Sequence, residues 1–252
     1  MKMFSGVLPS KDLPTDHPRS VTRTYEGRDV CFEAEPELRE ALKKLSITEG
    51  TTLNNVLAAC YHIWFSKYVD SEDVIIGCGV SGRSHGDLSS MVGMLVNTAA
   101  IRSRPQGKKT FRTFLRELKE ETLSAFNHLD FPFEHMISDL KLARDASRNP
   151  LFDTLFELQS LADTEADPVM NGLAVQRLDI RSGLTKFDLA LFAGERSDRL
   201  YFSFNYRTSL FREETIVNMA NQYMLVLRTM AEAADCYIQE VDIHSPAEQI
   251  YS

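Results

Sequence analysis

Hydrophobic positions change their period several times along the chain, and each change marks an element. Residues 1–25 carry Pro9, Pro14 and Pro18 among scattered charges, a composition that resists regular structure and predicts an arm or linker before a domain at 26–252. A short strand is predicted at 28–34. Pro36 then opens an amphipathic helix with Leu38, Ala41, Leu42 and Leu45 on one stripe, ending near Gly50. Thr51 or Thr52 can cap the next helix, whose apolar residues (Leu53, Val56, Leu57, Cys60, Ile63, Trp64, Tyr68, with Ala58, Ala59 and Phe65 elsewhere) leave little polar face, so it belongs inside. Residues 73–80 read as a buried strand loosened by Gly77 and Gly79, followed by a polar loop at 81–87.

Residues 92–102 pass from loop to strand without a turn signal. The run 95–101 is apolar on both alternating faces except at Asn97 and Thr98, the pattern of a central strand, and Gly93 before it allows a backbone excursion that a side chain would obstruct. Two readings of the polar pair stand side by side: Asn97 and Thr98 tie down a neighbouring loop, or they line a tunnel. After Gly107, Phe111, Phe114, Leu115, Leu118, Thr122 and Phe126 make the buried stripe of a helix that stops near His128. Pro132 disfavours helix at Phe131 and suits a restart with Glu134 near its positive end, so a kinked helix pair is predicted. The loop 144–151 holds Arg144, Asp145, Arg148 and Asn149, enough hydrogen-bonding capacity to fix itself in place. Strand-like runs follow at 154–159, 173–180, 187–193 and 200–206, with a mobile acidic loop expected at 162–172. The last run alternates cleanly, with Leu200, Phe202, Phe204 and Tyr206 facing one way, and the short polar link 194–199 predicts an antiparallel hairpin. Ile216, Met219, Tyr223, Val226, Leu227 and Met230 mark a long final helix begun by Glu213 and Glu214. Helices and strands mix without strict alternation, so the expected fold class is α/β of the α+β type, a mixed sheet covered by helices.

Composition narrows the function. A chain of 252 residues with 43% hydrophobic and 25% charged residues can bury a sizeable core. Its net charge of -8, with Lys and Arg scattered, argues against a nucleic-acid or anionic-membrane surface. Cys31, Cys60, Cys78 and Cys236 form no CxxC pair, so reduced thiols in a cytoplasmic protein are expected rather than disulfides or a metal site. No secretory leader or membrane-spanning stretch is read in the sequence. His62, alone on a buried helix, is assigned a hydrogen-bonded structural role before a catalytic one.

Three motifs then fall in register: Val92-Gly93-x-x-Val96-Asn97-Thr98 with Arg102, His128-x-Asp130-x-Pro132-Phe133-Glu134, and Arg144-Asp145-x-Ser147-Arg148-Asn149-Pro150-Leu151. Together with the arm Leu13-Pro14-Thr15-Asp16-x-Pro18-Arg19 and the Gly82-Arg83 loop, they resemble the condensation domains of nonribosomal peptide synthetases over nearly the whole chain. The resemblance implies the chloramphenicol-acetyltransferase-like fold, whose two lobes flank a tunnel where an acceptor amine attacks a donor thioester. Both substrates arrive on phosphopantetheine arms of carrier proteins, so no cofactor is expected to be bound here. The family's HHxxxDG motif lies in the first lobe, and here His17, His62, His85, His128, His135 and His244 all stand apart. The chain is therefore expected to be the second lobe, inactive alone, with the first lobe, a peptidyl carrier protein and adenylation domains as partners and self-association of the isolated piece expected. Gly93, Val96, Asn97 and Thr98 would line the tunnel, Arg83 would meet the other lobe, and Asp130, Pro132, Arg144, Asp145, Arg148 and Asn149 would hold the fold. The hairpin at 187–206 is expected to cross to the other lobe, leaving its apolar face uncovered here. A standalone carrier-docking or scaffold module is the alternative. A coenzyme-A acyltransferase is a minor third reading, since no Gly-rich phosphate loop or matched nucleophile and base is found.

Overall fold

The computed structural model describes residues 2–4, 6–9, 12–81, 86–88, 90–129, 131–142, 145–160, 183–196 and 198–243. Six strands form one mixed sheet: β1 (Gly27–Ala34), β2 (Val74–Ser81), β3 (Val96–Ser103), β4 (Thr154–Ser160), β5 (Leu189–Arg196) and β6 (Arg199–Arg207), in the order β1-β6-β5-β4-β2-β3. The pairs β4–β5 and β2–β4 are parallel, and β1–β6, β5–β6 and β2–β3 antiparallel. The predicted mixed sheet and closing hairpin are both present. Two expectations change. β3 lies at the sheet edge rather than its centre, and its first residue, Val96, is 69% exposed. The β5–β6 hairpin sits inside the sheet with Leu189, Leu191, Phe202, Phe204 and Tyr206 buried, because β1 closes over its far side and helices cover that face. The predicted strand at 173–180 and loop at 162–172 lie outside the described residues.

Five helices accompany the sheet: α1 (Pro36–Thr48), α2 (Leu53–Tyr68), α3 (Phe111–Phe126), α4 (Phe133–Asp139) and α5 (Glu213–Glu232). Their starts follow local chemistry. The Thr52 and Thr110 hydroxyls accept from the amides of Asn55 and Thr113, each at 3.2 Å, capping α2 and α3. Pro36 stands at the first turn of α1, and Gly50, at φ +57°, ends it in the left-handed conformation that costs glycine little. α2 is buried on nearly every side, as its composition predicts. Tyr61 and Trp64 are fully buried, the Tyr61 hydroxyl is 2.6 Å from Thr154 Oγ1, and Tyr223 of α5 donates to the Leu57 carbonyl at 3.1 Å. Burial of this order is worth about 3–5 kcal/mol for an aromatic such as Trp64, judged by the cost of truncating it to Ala.

One sheet face carries the main core, in which α1, α2, α3 and α5 pack on Phe32, Ile76, Ile101, Phe156, Leu191 and Phe204. Among the described residues the other face is covered at one end alone. There Phe4 of the arm and Phe133, Met136 and Ile137 of α4 pack with Phe152 on Ile75 and Ala100. The arm is docked along much of its length: Leu13 is buried, Arg102 Nη1 and Nη2 donate to the Met3 and Val7 carbonyls at 3.2 and 2.8 Å, and the Asp16 amide donates to Leu210 at 3.0 Å.

Candidate functional site

The uncovered end of the second face is defined by strand register. Thr98 of β3 pairs with Gly79 of β2, Glu157 of β4 with Phe192 of β5, and Ser203 of β6 with both Phe192 and Cys31 of β1. The side chain of Glu157 lies over Gly79: a Cβ added there would collide with its carboxylate. Thr98, Gly79, Glu157, Phe192, Ser203 and Cys31 thus form one row across all six strands, on the face opposite the main core. One row away on β2, Gly77 is covered by the ring of Phe152. The two glycines expected to loosen β2 are therefore close-packing positions, one under an aromatic ring and one under a carboxylate.

Next to this row runs an exposed apolar strip. Val92 and Met94 are 100% and 92% exposed, and Met91 and Val96 are exposed as well. Gly93 sits in this strip, and an added Cβ meets no atom within 4 Å, so the obstruction expected for a side chain there is not present among the described residues. Asn97 and Thr98 point to opposite faces. Asn97 Nδ2 donates to the Leu129 carbonyl at 2.7 Å and its Oδ1 accepts from the Thr98 amide at 2.8 Å, so Asn97 ties the start of β3 to the link between α3 and α4. That is the loop-holding alternative for Asn97, while Thr98 remains on the open face.

The loop 145–151 is pinned by charge. Asp145 Oδ1 accepts from the Ser147 amide and hydroxyl at 2.8 and 2.6 Å, and Arg148 pairs with Asp12 and lies 3.6 Å from Asp153. Asn149 donates its amide to Asp153 Oδ1 at 3.1 Å and accepts from Arg23 at 2.9 Å. Beneath lies a buried group the sequence reading missed: Asp188 and Arg207 pair at 2.9 Å, both almost wholly buried, and Arg19 of the arm also binds Asp188. The hairpin register could have found it, since extending Leu189↔Tyr206 by one residue sets Asp188 opposite Arg207. Pro132 stands just before α4 and Glu134 in its first turn. Arg83, Asp130 and Arg144 lie outside the described residues.

Neither His62 nor Cys78 is poised as a base. His62 shares a 2.8 Å hydrogen bond with Ser103 Oγ in the core, and burial pulls its pKa down to about 3, so it stays neutral. Burial, with Glu157 adding negative charge, pushes the Cys78 thiol up to about 12. Among the described residues there is no cluster suited to a metal ion and no helix long and apolar enough to cross a membrane. A groove of about 350 Å³ between β1 and α5, lined by Phe32, Asn221, Met224 and Arg228, lies on the other face and brings no such chemistry together.

The comparisons with known proteins agree with this architecture. A family profile described as the condensation domain matches residues 1–250. The chain is 38% identical over 251 residues to gramicidin S synthase 2 of Brevibacillus brevis and 40% identical over 247 residues to tyrocidine synthase 2 of Brevibacillus parabrevis, covering 99% and 98% of itself. It spans 6% and 7% of those relatives' lengths. Among solved structures, the X-domain from teicoplanin biosynthesis superposes with a TM-score of 0.87 at 21% identity, covering 96% of this chain and 55% of that one. A four-domain nonribosomal peptide synthetase superposes at 0.86 with 22% identity, over 94% of this chain and 19% of that one, a likeness of fold. The chain belongs to the condensation-domain family, the peptide-bond-forming family of nonribosomal peptide synthetases.

Proposed function

We propose that this chain is the second lobe of a condensation domain, residues 26–252 with residues 1–25 as the arm leading into it, and that it forms one wall of the tunnel in which a donor acyl or peptidyl thioester meets an acceptor amine. The observation that carries the reading is the unevenly covered sheet face: beside a complete core, the described residues leave one end of the second face open, next to the exposed strip at Met91, Val92, Met94 and Val96. Coverage of about half of the X-domain chain supports a one-lobe reading, and so do six histidines none of which is adjacent to another. Thr98, Val96 and Gly93 line the wall, Asn97 fixes β3 from behind, and Arg83 reaches toward the other lobe. The buried ion pairs under the loop 145–151 hold the arm and the hairpin end together.

Amide formation here is a matter of placement. Two thioesters on phosphopantetheine arms, delivered by peptidyl carrier proteins after loading by adenylation domains in the cytoplasm, are brought into line by the two walls. Management of the amine's proton belongs to the HHxxxDG lobe, so this lobe alone is inactive. The reading is tested in the two-lobed domain with Thr98→Trp, which fills the wall from an open-face position. Amide formation is expected to fall at least about tenfold with the thermal midpoint unchanged. Undiminished turnover removes Thr98 from the tunnel.

A further inference from the structure

Glu157 is a carboxylate for which the described residues supply no cation, and its charge bears on the Cys78 thiol. It sits mid-strand on β4 between Phe156 and Leu158, opposite Phe192 and over Gly79, on the open sheet face. Among the described residues no Lys, Arg or hydroxyl binds it, whereas Glu33, Glu35, Glu49 and Glu195 all have arginine partners. At the covered end of the same face, the corresponding glycine of β2 holds an aromatic ring. When a second layer closes over this row, an unpaired carboxylate costs several kcal/mol, so its retention calls for a cation that the described residues do not supply.

Resting on the tunnel reading above, we propose that Glu157 is the floor of a cation subsite that takes a primary ammonium group of the substrate. Two features favour substrate over a side chain of the opposite lobe. Glu157 shares its row with Thr98, which the tunnel reading places on the wall, and Gly79 lets the carboxylate lie low against the sheet, so that a group reaching it must come down to the strand backbone. A primary ammonium can come from the α-amino group of the acceptor or from a basic side chain, and both bind a carboxylate through the same charge-assisted hydrogen bonds.

The test uses the intact two-lobed domain with glycyl, leucyl and ornithyl acceptors. Glu157→Gln is expected to raise acceptor KM about tenfold or more with a smaller change in kcat, the loss of one charge-assisted bond, and Glu157→Asp to recover part of it. Gly79→Ala, which displaces the carboxylate without removing its charge, is expected to move KM the same way. An effect on all three acceptors assigns the α-amino group; an effect on the ornithyl acceptor alone assigns a side chain. Acceptor KM within about twofold of the parent in Glu157→Gln overturns the subsite, and so does a KM-independent loss of stability that Glu157→Asp does not reverse, which marks a pair with the other lobe. A parent domain that forms no amide counts against the tunnel reading instead. In that case titration with ornithine methyl ester, followed at the Gly79 and Thr98 amides by NMR, still decides the subsite: shifts lost in Glu157→Gln support it, and no shifts in the parent refute it.

Discussion

Asp188 is the residue on which most of the buried charge converges. Its carboxylate meets Arg207 at 2.9 Å and Arg19 of the arm, with Asp188 and Arg207 almost fully buried. Burial pulls the Arg207 guanidinium below its ordinary pKa while Asp188 holds it up. Asp188→Asn removes the carboxylate that both guanidinium groups bind, leaving them Asp153 at longer range, and is expected to cost about 3–5 kcal/mol in urea unfolding. Glu35→Gln, which breaks the exposed pair with Arg228, is expected to change stability by less than about 0.5 kcal/mol. A similar loss in both variants would contradict the role given to burial. His62 supplies a pH dependence. Its folded pKa of about 3 lies below the ordinary 6.5, so the unfolded chain binds the extra proton between those values. The stability from keeping it neutral is complete above about pH 6.5 and declines as pH falls toward 3, by up to about 1.4 kcal/mol per unit. Unfolding midpoints from pH 7 to 5 check this: His62→Gln is expected to flatten the acid limb, and an unchanged limb refutes it.

At the scale of elements, β2 shows how one strand serves two layers. Its core-side residues, Val74 and Ile76, pack under the helices, while Gly77 and Gly79 face the other way. Gly77→Ala drives a methyl into the Phe152 ring and is expected to cost about 1–3 kcal/mol, whereas Gly79→Ala meets a mobile carboxylate and is expected to cost less than about 1. Equal costs measured by denaturation would contradict the packing described. Residue periodicity made most elements legible, because α1, α2, α3, α5 and the β5–β6 hairpin each bury a stripe or face that the spacing prints in the sequence. It failed at β3. An edge strand that presents Thr98 and Val96 to an open face has the same apolar content as a central one, and periodicity reports apolarity, not which neighbour covers it. Glu157 was passed over for a related reason: a single charge in an apolar strand has no pattern, and its position over Gly79 emerges from pairing across strands.

For the whole molecule, the asymmetry between the two sheet faces organises everything else. One face is complete under four helices; the other is covered by the arm and α4 at one end, and among the described residues no helix packs on the mostly half-buried row from Thr98 to Cys31. An apolar strip with Val92 and Met94 fully or nearly fully exposed favours a covering layer, so sedimentation of the isolated chain at high concentration is expected to show self-association that the first lobe suppresses. A single monomeric boundary that the first lobe leaves unchanged would contradict this. Motif order carried the family in the sequence, whereas the row from Thr98 to Cys31 needed coordinates, because it is assembled by pairing across six strands.

In the function proposed above, this lobe supplies placement and the other lobe the reactive histidine. The direct measurement loads two carrier proteins with donor and acceptor and follows dipeptidyl thioester by mass spectrometry, with this chain alone and with the chain joined to an HHxxxDG lobe. The account predicts no product above background from the chain alone and sustained product from the joined domain. Sustained turnover by the chain alone would contradict it.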